Sequence, residues 1–523
     1  MPRAIRSPRE PLLDVKEIQG NILAGFNKDQ QLLLALTFRD IPAARRWLRR
    51  IAGQISSLEL VNEFNSLFRK ARASLGSDPA GMIATWANIA FSHPGLAKLT
   101  SVEDANGVPD GSFRVGLPAR AATLRDQDPG GSADPTAHWK IGGTGNVPDV
   151  LLIIASDSIS ELRKAEDRLR PNSGDGPGEP QLIWEELGQT RPDLPGHEHF
   201  GFKDGVSQPG VRGRLHAKPD VFLTRRKLAH AAGKMQFAKP GQPLIWPGQF
   251  VFGYQSTDRE TGDPVEAGKL KPAWLMNGSL LVFRRLQQNV AGFTRFVKDA
   301  ASTIPGMTPE RLGALLVGRW KSGAPVLRAA DHDLPALGTS PLVNNDFLFT
   351  ANSPPPVFLP GIRPPKPFPE APADAHGLIC PHAAHIRKVN PRDQDSDLGD
   401  QFDTLTRRIL RRGIPYGTPI HDPATDDGVD RGLHFLCYQT SIEQQFETVQ
   451  LDWANSPNKP TVGGHDVIIG QTSDQRRAFE LLTNAGASTQ KLTTPTQWVT
   501  PTGGGYFFAP SISALRDVLG VGS

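Results

Sequence analysis

Only two of the 523 residues are cysteine, Cys380 and Cys437. Two thiols cannot build a disulfide scaffold or a four-cysteine zinc or iron–sulfur site, and the C-x-x-C-H signature of covalently attached haem is missing. Long hydrophobic runs are missing too. Stretches such as Val150 to Ala155 are far too short to span a bilayer, and the opening MPRAIRSPREPLLDVKEIQGN has charges with no apolar stretch behind them. The expectation is a cytoplasmic protein with neither a membrane span nor a secretion signal. Charge excess is small, +4 over the whole chain, and basic clusters such as Arg407 to Arg412 are scattered, which argues against a nucleic-acid partner. Neither a G-x-S-x-G elbow nor an H-E-x-x-H pair occurs, so the common serine-hydrolase and zinc-protease readings lose their footing.

What is there suits a folded protein of more than one core. Hydrophobic residues make up 38% and charged residues 21%, enough apolar material to bury without the charge excess of a disordered chain. The length points to two domains or one large duplicated unit. Proline (47) and glycine (52) follow no fixed period, which implies long ordered loops rather than a collagen-like repeat.

One local grammar recurs four times: a short aliphatic run followed by an amphipathic stretch of helical period. Gln31 to Phe38 leads into Ala43 to Ile55, and Val150 to Ala155 into Ser160 to Leu169, with a further strand candidate at Trp86 to Phe91. Ser279 to Leu286 leads into Val290 to Ala300, and Leu433 to Tyr438 into Ile442 to Ala454. Two strand–helix units per half are what a duplicated split β-α-β sheet would give, so the expected class is α+β with two ferredoxin-like domains, residues 1–240 and 241–523. A doubly wound α/β fold should show more alternating units and a Gly-rich phosphate turn, and neither is found. Between the two units of the second half lies a long insertion, about Ser302 to Asp430, dense in proline at Pro354 to Pro369 and then rich in histidine and arginine.

Three constellations could carry chemistry. In H-E-H-F-G-F-K-D-G-V-S-Q-P, His197 to Pro209, Gly201 and Gly205 bracket Asp204 and let the backbone turn tightly, bringing a carboxylate close to a flat ligand. Alone, this pattern also fits a surface turn. In C-P-H-A-A-H-I-R-K-V-N-P-R-D, Cys380 to Asp393, a neutral imidazole from His382 or His385 is a good axial ligand for haem iron, and a neighbouring cation such as Arg387 can neutralise haem propionates. A polar loop with satisfied histidines is the plainer reading. In R-R-I-L-R-R-G-I-P-Y-G, Arg407 to Gly417, most arginines should be solvated or paired, and one buried arginine would matter.

Taken together, these segments resemble the dye-decolourising peroxidase family. GFKDG is similar to its G-x-x-D-G motif, AHIRKVNPR to its proximal-histidine segment, and ILRRGIPYG to the stretch that supplies its distal arginine. Asp14 to Phe26 and Arg431 to Gln439 also resemble family segments, so the likeness spans nearly the whole chain in order. Its length resembles the longer subgroup. The resemblance implies a non-covalent haem b in the second domain, with His385 as proximal iron ligand, Asp204 as distal acid and Arg411 as distal arginine. It further implies that Leu433 and Phe435 line the distal pocket and that Asp466 receives the other imidazole N–H of His385, with Glu447 as the fallback; His382 stays outside. The implied activity is reduction of hydrogen peroxide and oxidation of dyes or phenolics through a high-valent iron–oxo intermediate. Large donors would pass electrons in through surface tryptophan or tyrosine. The alternative is a non-catalytic haem-binding or iron-handling protein.

Overall fold

The computed structural model describes residues 10–171, 178–214, 238, 241–341, 343–353, 368–483 and 488–521. The prolines from Pro354 to Pro367 lie outside the described residues, as does the proposed boundary at 240. Among the described residues, nine strands form one sheet: β1 (Gln30–Thr37), β2 (Thr85–Phe91), β3 (Val150–Ser156), β4 (Gln181–Gln189), β5 (Ser279–Gln288), β6 (Leu410–Arg411), β7 (Ile414–Tyr416), β8 (Gly432–Gln439) and β9 (Val499–Ala509). Their order is β6-β8-β7-β4-β1-β3-β2-β9-β5, and β8 also pairs with β5, so the sheet closes on itself. No helix among the described residues is long and apolar enough to cross a membrane.

Each half contributes four antiparallel neighbours: β4-β1-β3-β2 from the first, and β9-β5-β8 with the broken strand β6/β7 from the second. The two halves are joined edge to edge in one closed sheet. The halves share hydrogen bonds at two narrow seams, Tyr416 opposite Gly188 and Phe508 opposite Phe91. Closure removes the open edges that two four-stranded sheets would otherwise present.

Period-2 alternation explains how one strand serves two cores. Leu32, Leu34 and Leu36 of β1, with Val150, Leu152 and Ile154 of β3, pack outward against Trp47 and Leu48 of helix α1 (Ile41–Ala52) and Leu162 of α2 (Ile159–Leu169). Leu33, Ala35, Leu151 and Ile153 face the other way, into a core with Leu281, Phe283 and Tyr438 from the second half. Both faces are buried, and so β1 and β3 are almost continuously aliphatic. In the second half, helices α3 (Val290–Ser302) and α5 (Ile442–Ala454) flank the sheet, with the one-turn helix α4 (His385–Lys388) between them in sequence.

A polar cluster ties the halves together. Glu186 of β4 takes two hydrogen bonds from Arg285 of β5, both 2.8 Å, and lies 2.6 Å from Nε2 of buried His434 on β8. Burial opposes charge on Glu186, but His434 and Arg285 outweigh it and bring its carboxyl down to about 2. The sign follows from linkage: a carboxyl depressed in the folded state stabilises fully above its ordinary value of 4.5 and loses that contribution as pH falls to about 2. Glu186→Gln is therefore expected to destabilise the fold by about 3 to 5 kcal/mol at neutral pH. The deficit should shrink between pH 4.5 and 2 when mutant and wild-type thermal midpoints are compared across pH.

Candidate active site

The face of the sheet that carries helices in the first half borders a cavity in the second. Arg284, Leu286 and Gln288 alternate along β5 and line it, as do Leu433 and Phe435 of β8. The cavity holds about 1900 Å³ of empty space, part of it open to solvent. Aliphatic and aromatic side chains such as Phe446, Val449 and Ile468 cover much of its wall. His385, Asp204 and Arg411 all border it.

His385 begins α4 and points its Nδ1 at buried Asp466, 2.7 Å away. Asp466 is aimed by its own backbone: the other carboxylate oxygen accepts from the N–H groups of Ile468 and Ile469 at 2.8 and 3.1 Å. Burial disfavours charge on both partners, yet each overrides it in the other. Asp466 is held below the usual carboxylate range by His385, and His385 is lifted above the ordinary imidazole value by Asp466. An ionised carboxylate can only accept, so the nitrogen facing Asp466 carries a proton as donor, and the neutral ring then presents Nε2 as its lone-pair edge.

Asp204 sits where Gly201 and Gly205 adopt positive φ, +90° and +72°, a region that side-chain-bearing residues avoid. Glu198 shapes this turn, taking the N–H groups of Phe200 and Phe202 at 2.8 Å each. Arg411 reaches Asp204 Oδ1 through Nη1 at 2.6 Å and the Ser207 carbonyl through Nη2 at 3.1 Å. Gln208 clamps the loop to β6 from both sides, donating to the Arg411 carbonyl and accepting from its N–H. Burial would raise the Asp204 carboxyl, but the Arg411 guanidinium and the Gly205 N–H hold it below its ordinary value. His385 and Asp204 act electrostatically on each other, and both feel Arg411, so the three groups share one field. The neighbouring Arg412 turns away and donates to the carbonyls of Asn21, Ile22 and Leu23.

Arg387 requires a correction. Residues two apart on a helical turn face nearly opposite ways, so a turn that presents His385 to the cavity points Arg387 away from it. Its guanidinium is buried among Asp374, the Cys380 carbonyl and Gln394, and does not border the cavity. Nor does His382 border it. Glu447 is engaged by Arg120, Ser112 and Tyr506, leaving Asp466 as the partner of His385.

Apart from Arg411, the arginines that reach the cavity were not singled out from sequence. Arg392 follows the turn with a left-handed φ of +60°, which re-aims the chain, and its guanidinium binds the Asn345 and Phe347 carbonyls. Arg408 has no ion pair among the described residues, and its Nε is sealed from solvent without a partner. Burial, with Arg392 nearby, pushes Arg408 down to about 9. Arg284 gives one nitrogen to Asp126 at 2.7 Å and keeps two buried nitrogens unpartnered. Sheltered guanidinium donors on an apolar cavity are the complement of an apolar ligand with anionic edges.

Comparison with known proteins fits this geometry. A family model described as the DyP dimeric alpha+beta barrel domain matches residues 17–177, and one described as Dyp-type peroxidase, C-terminal, matches 317–461. Peroxidase 2 of Mycetinis scorodonius is 32% identical over 97% of this chain and 88% of its own length. The chain belongs to the dye-decolourising peroxidase family. A dye-decolorizing peroxidase of Mycena epipterygia is likewise 32% identical, over 97% of this chain and 87% of its own. The solved structure of an ancestral D-type dye-decolorizing peroxidase superposes with a TM-score of 0.74 at 32% identity, covering 97% of this chain and all of that one. Matches this complete place the chain with the longer members of the family.

The Asp204–Arg411 pair generates a prediction that needs no ligand. Arg411→Ala removes the largest force opposing burial, so the Asp204 carboxyl should titrate at higher pH. Infrared difference spectra of the carboxylate, with Asp204→Asn as the blank, are expected to show the midpoint moving upward.

Proposed function

We propose that the cavity binds one haem b non-covalently and that the protein reduces hydrogen peroxide while oxidising dyes or phenolic donors. The observation that carries this reading is the convergence on one cavity of an imidazole with its Nε2 free and an ionised carboxylate paired to a guanidinium. Haem fits the residues present. His385 would be the iron ligand, oriented by Asp466, and Leu433 and Phe435 would supply apolar wall. Arg408, whose Nε is buried without a partner, would with Arg392 meet propionates in place of Arg387. On this reading each half of the closed sheet is a ferredoxin-like unit, 1–240 carrying the Asp204 loop and 241–523 carrying the haem.

Haem, when bound, supplies the redox centre that accepts oxygen from peroxide and stores the oxidising equivalents. The remaining work falls to side chains. Asp204, kept ionised, can take the proton from one peroxide oxygen and return it to the other, the one that leaves as water. Arg411 holds that carboxylate in place through its bond to Oδ1 and stabilises negative charge building on the departing oxygen. Gln208 and Glu198 keep the turn from drifting, since a misplacement of about 1 Å can cost roughly 100-fold in rate. Asp466 strengthens His385 as a donor. A carrier that only holds haem or iron has no use for an acid paired to a guanidinium bordering the same cavity as the imidazole, which favours turnover over the carrier alternative.

The test is rapid mixing of the haem-loaded chain with peroxide. Wild type is expected to react within milliseconds, and Asp204→Asn to keep a normal Soret band while its peroxide reaction slows by roughly 100-fold to 10,000-fold. An Asp204→Asn protein that reacts at the wild-type rate would remove the acid from the scheme. Wild type that binds haem yet leaves peroxide untouched would favour the carrier.

A further inference from the structure

Lys388 closes the turn that His385 opens, and the peroxide reaction as described gives it no task. It is fully buried, and its ammonium donates to the Gly464 carbonyl at 2.6 Å. Among the described residues no carboxylate lies within 4 Å of it. A buried ammonium without a contact counter-ion is disfavoured, so its retention calls for a reason. Burial pushes it down to about 8, which leaves it charged at neutral and acidic pH.

The carboxylates that act on Lys388 are Asp466 and Asp397. Asp397 already accepts from Lys459 at 3.0 Å and from the Trp453 indole at 3.1 Å. Asp466 lies two residues along from Gly464, with one oxygen on His385 and the other on two backbone N–H groups. Two further charged or titratable groups stand nearby. Arg477, fully buried, also acts on Asp466, but its Nη1 and Nη2 are held by the Gln475 and Thr496 carbonyls, and its Nε has no partner. His465 accepts the Ala478 N–H at Nδ1 and is pushed down by burial, with Lys388 and Arg477 adding to the effect, so it stays neutral. Of the two cations, Lys388 alone shares the turn of His385, which fixes its charge relative to the imidazole.

We propose that Lys388 is a positioning residue for the proximal histidine: its buried charge acts through Asp466 to limit how strongly that carboxylate draws on the His385 N–H. The proposal rests on His385 being the iron ligand. A carboxylate accepting from an axial imidazole makes the ring a stronger donor and favours the more oxidised metal. A positive charge behind the carboxylate weakens it as an acceptor and holds the proton on Nδ1. Lys388 thus sets the histidine between a neutral imidazole and an imidazolate-like ligand.

The experiment uses the haem-loaded full chain and two readouts other than turnover: the ferric–ferrous midpoint potential, and the iron–histidine stretching frequency of the ferrous protein from resonance Raman. Lys388→Met removes the charge at similar length, and Lys388→Gln removes it while keeping a donor for the Gly464 carbonyl, so one variant serves if the other fails to fold. Both are expected to lower the potential and raise the stretching frequency. Asp466→Asn should move both readouts the opposite way, and adding Lys388→Met to it should change nothing further, because the route through the carboxylate is gone. Lys388 variants at wild-type values while Asp466→Asn shifts would overturn the proposal and leave the ligand assignment standing. A Lys388 shift that persists at full size in the Asp466→Asn background would overturn it as well. If Asp466→Asn moves neither readout, the ligand assignment falls and the proposal falls with it.

Discussion

The hydrogen bond from His385 Nδ1 to buried Asp466, 2.7 Å long, is the constraint on which the rest of the site depends. It fixes the tautomer, directs the free nitrogen and anchors a one-turn helix too short to hold an orientation alone. Asp466 can do this because two backbone N–H groups aim it from behind. The acid and guanidinium bordering the same cavity are built on the same plan. Asp204 is set by a turn with two left-handed glycines, and Arg411 by a strand register with Cys437 and the Gln208 clamp. Each reactive side chain has at least one partner whose work is to hold it.

The fold positions these groups by closing a duplicated sheet. In the first half the outward face of the sheet is covered directly by α1 and α2, and the result is a packed core. In the second half the same face borders the cavity, with Arg284 and Gln288 on β5 standing where the first half has leucines. Both halves present nearly the same strand order, and the difference in what covers them separates scaffold from site. The Glu186, Arg285 and His434 cluster secures the seam between them with charge rather than apolar area.

Much of this was legible in the sequence because the signals were local and periodic. Aliphatic runs at Val150 and Ser279 followed by amphipathic stretches mark strands and helices within a residue or two of their observed ends. β4 was not legible: Gln181–Gln189 is charged and half exposed, and only its pairing with β1 makes it a strand. β9 escaped because Gly503 to Gly505 interrupt its apolar pattern. At the site, the G-x-x-D-G turn and the proximal segment stand out as motifs. Apart from Arg411, the arginines of the cavity do not. Proximity along the chain favoured Arg387, whereas helical geometry turns it inward, and Arg392, itself left-handed four positions past the helix, borders the cavity instead. Whether an arginine finds an ion pair or, like Arg408, has none among the described residues depends on tertiary neighbours that no local pattern encodes.

The most direct measurement of the central claim is the absorption spectrum of His385→Gly after incubation with haem, with and without added imidazole. The expected result is a weak, shifted Soret band that imidazole restores toward wild type, because the small molecule would enter the space left beside Asp466. A His385→Gly protein that takes up haem with an unchanged spectrum and ignores imidazole would contradict the assignment of the iron to this side chain.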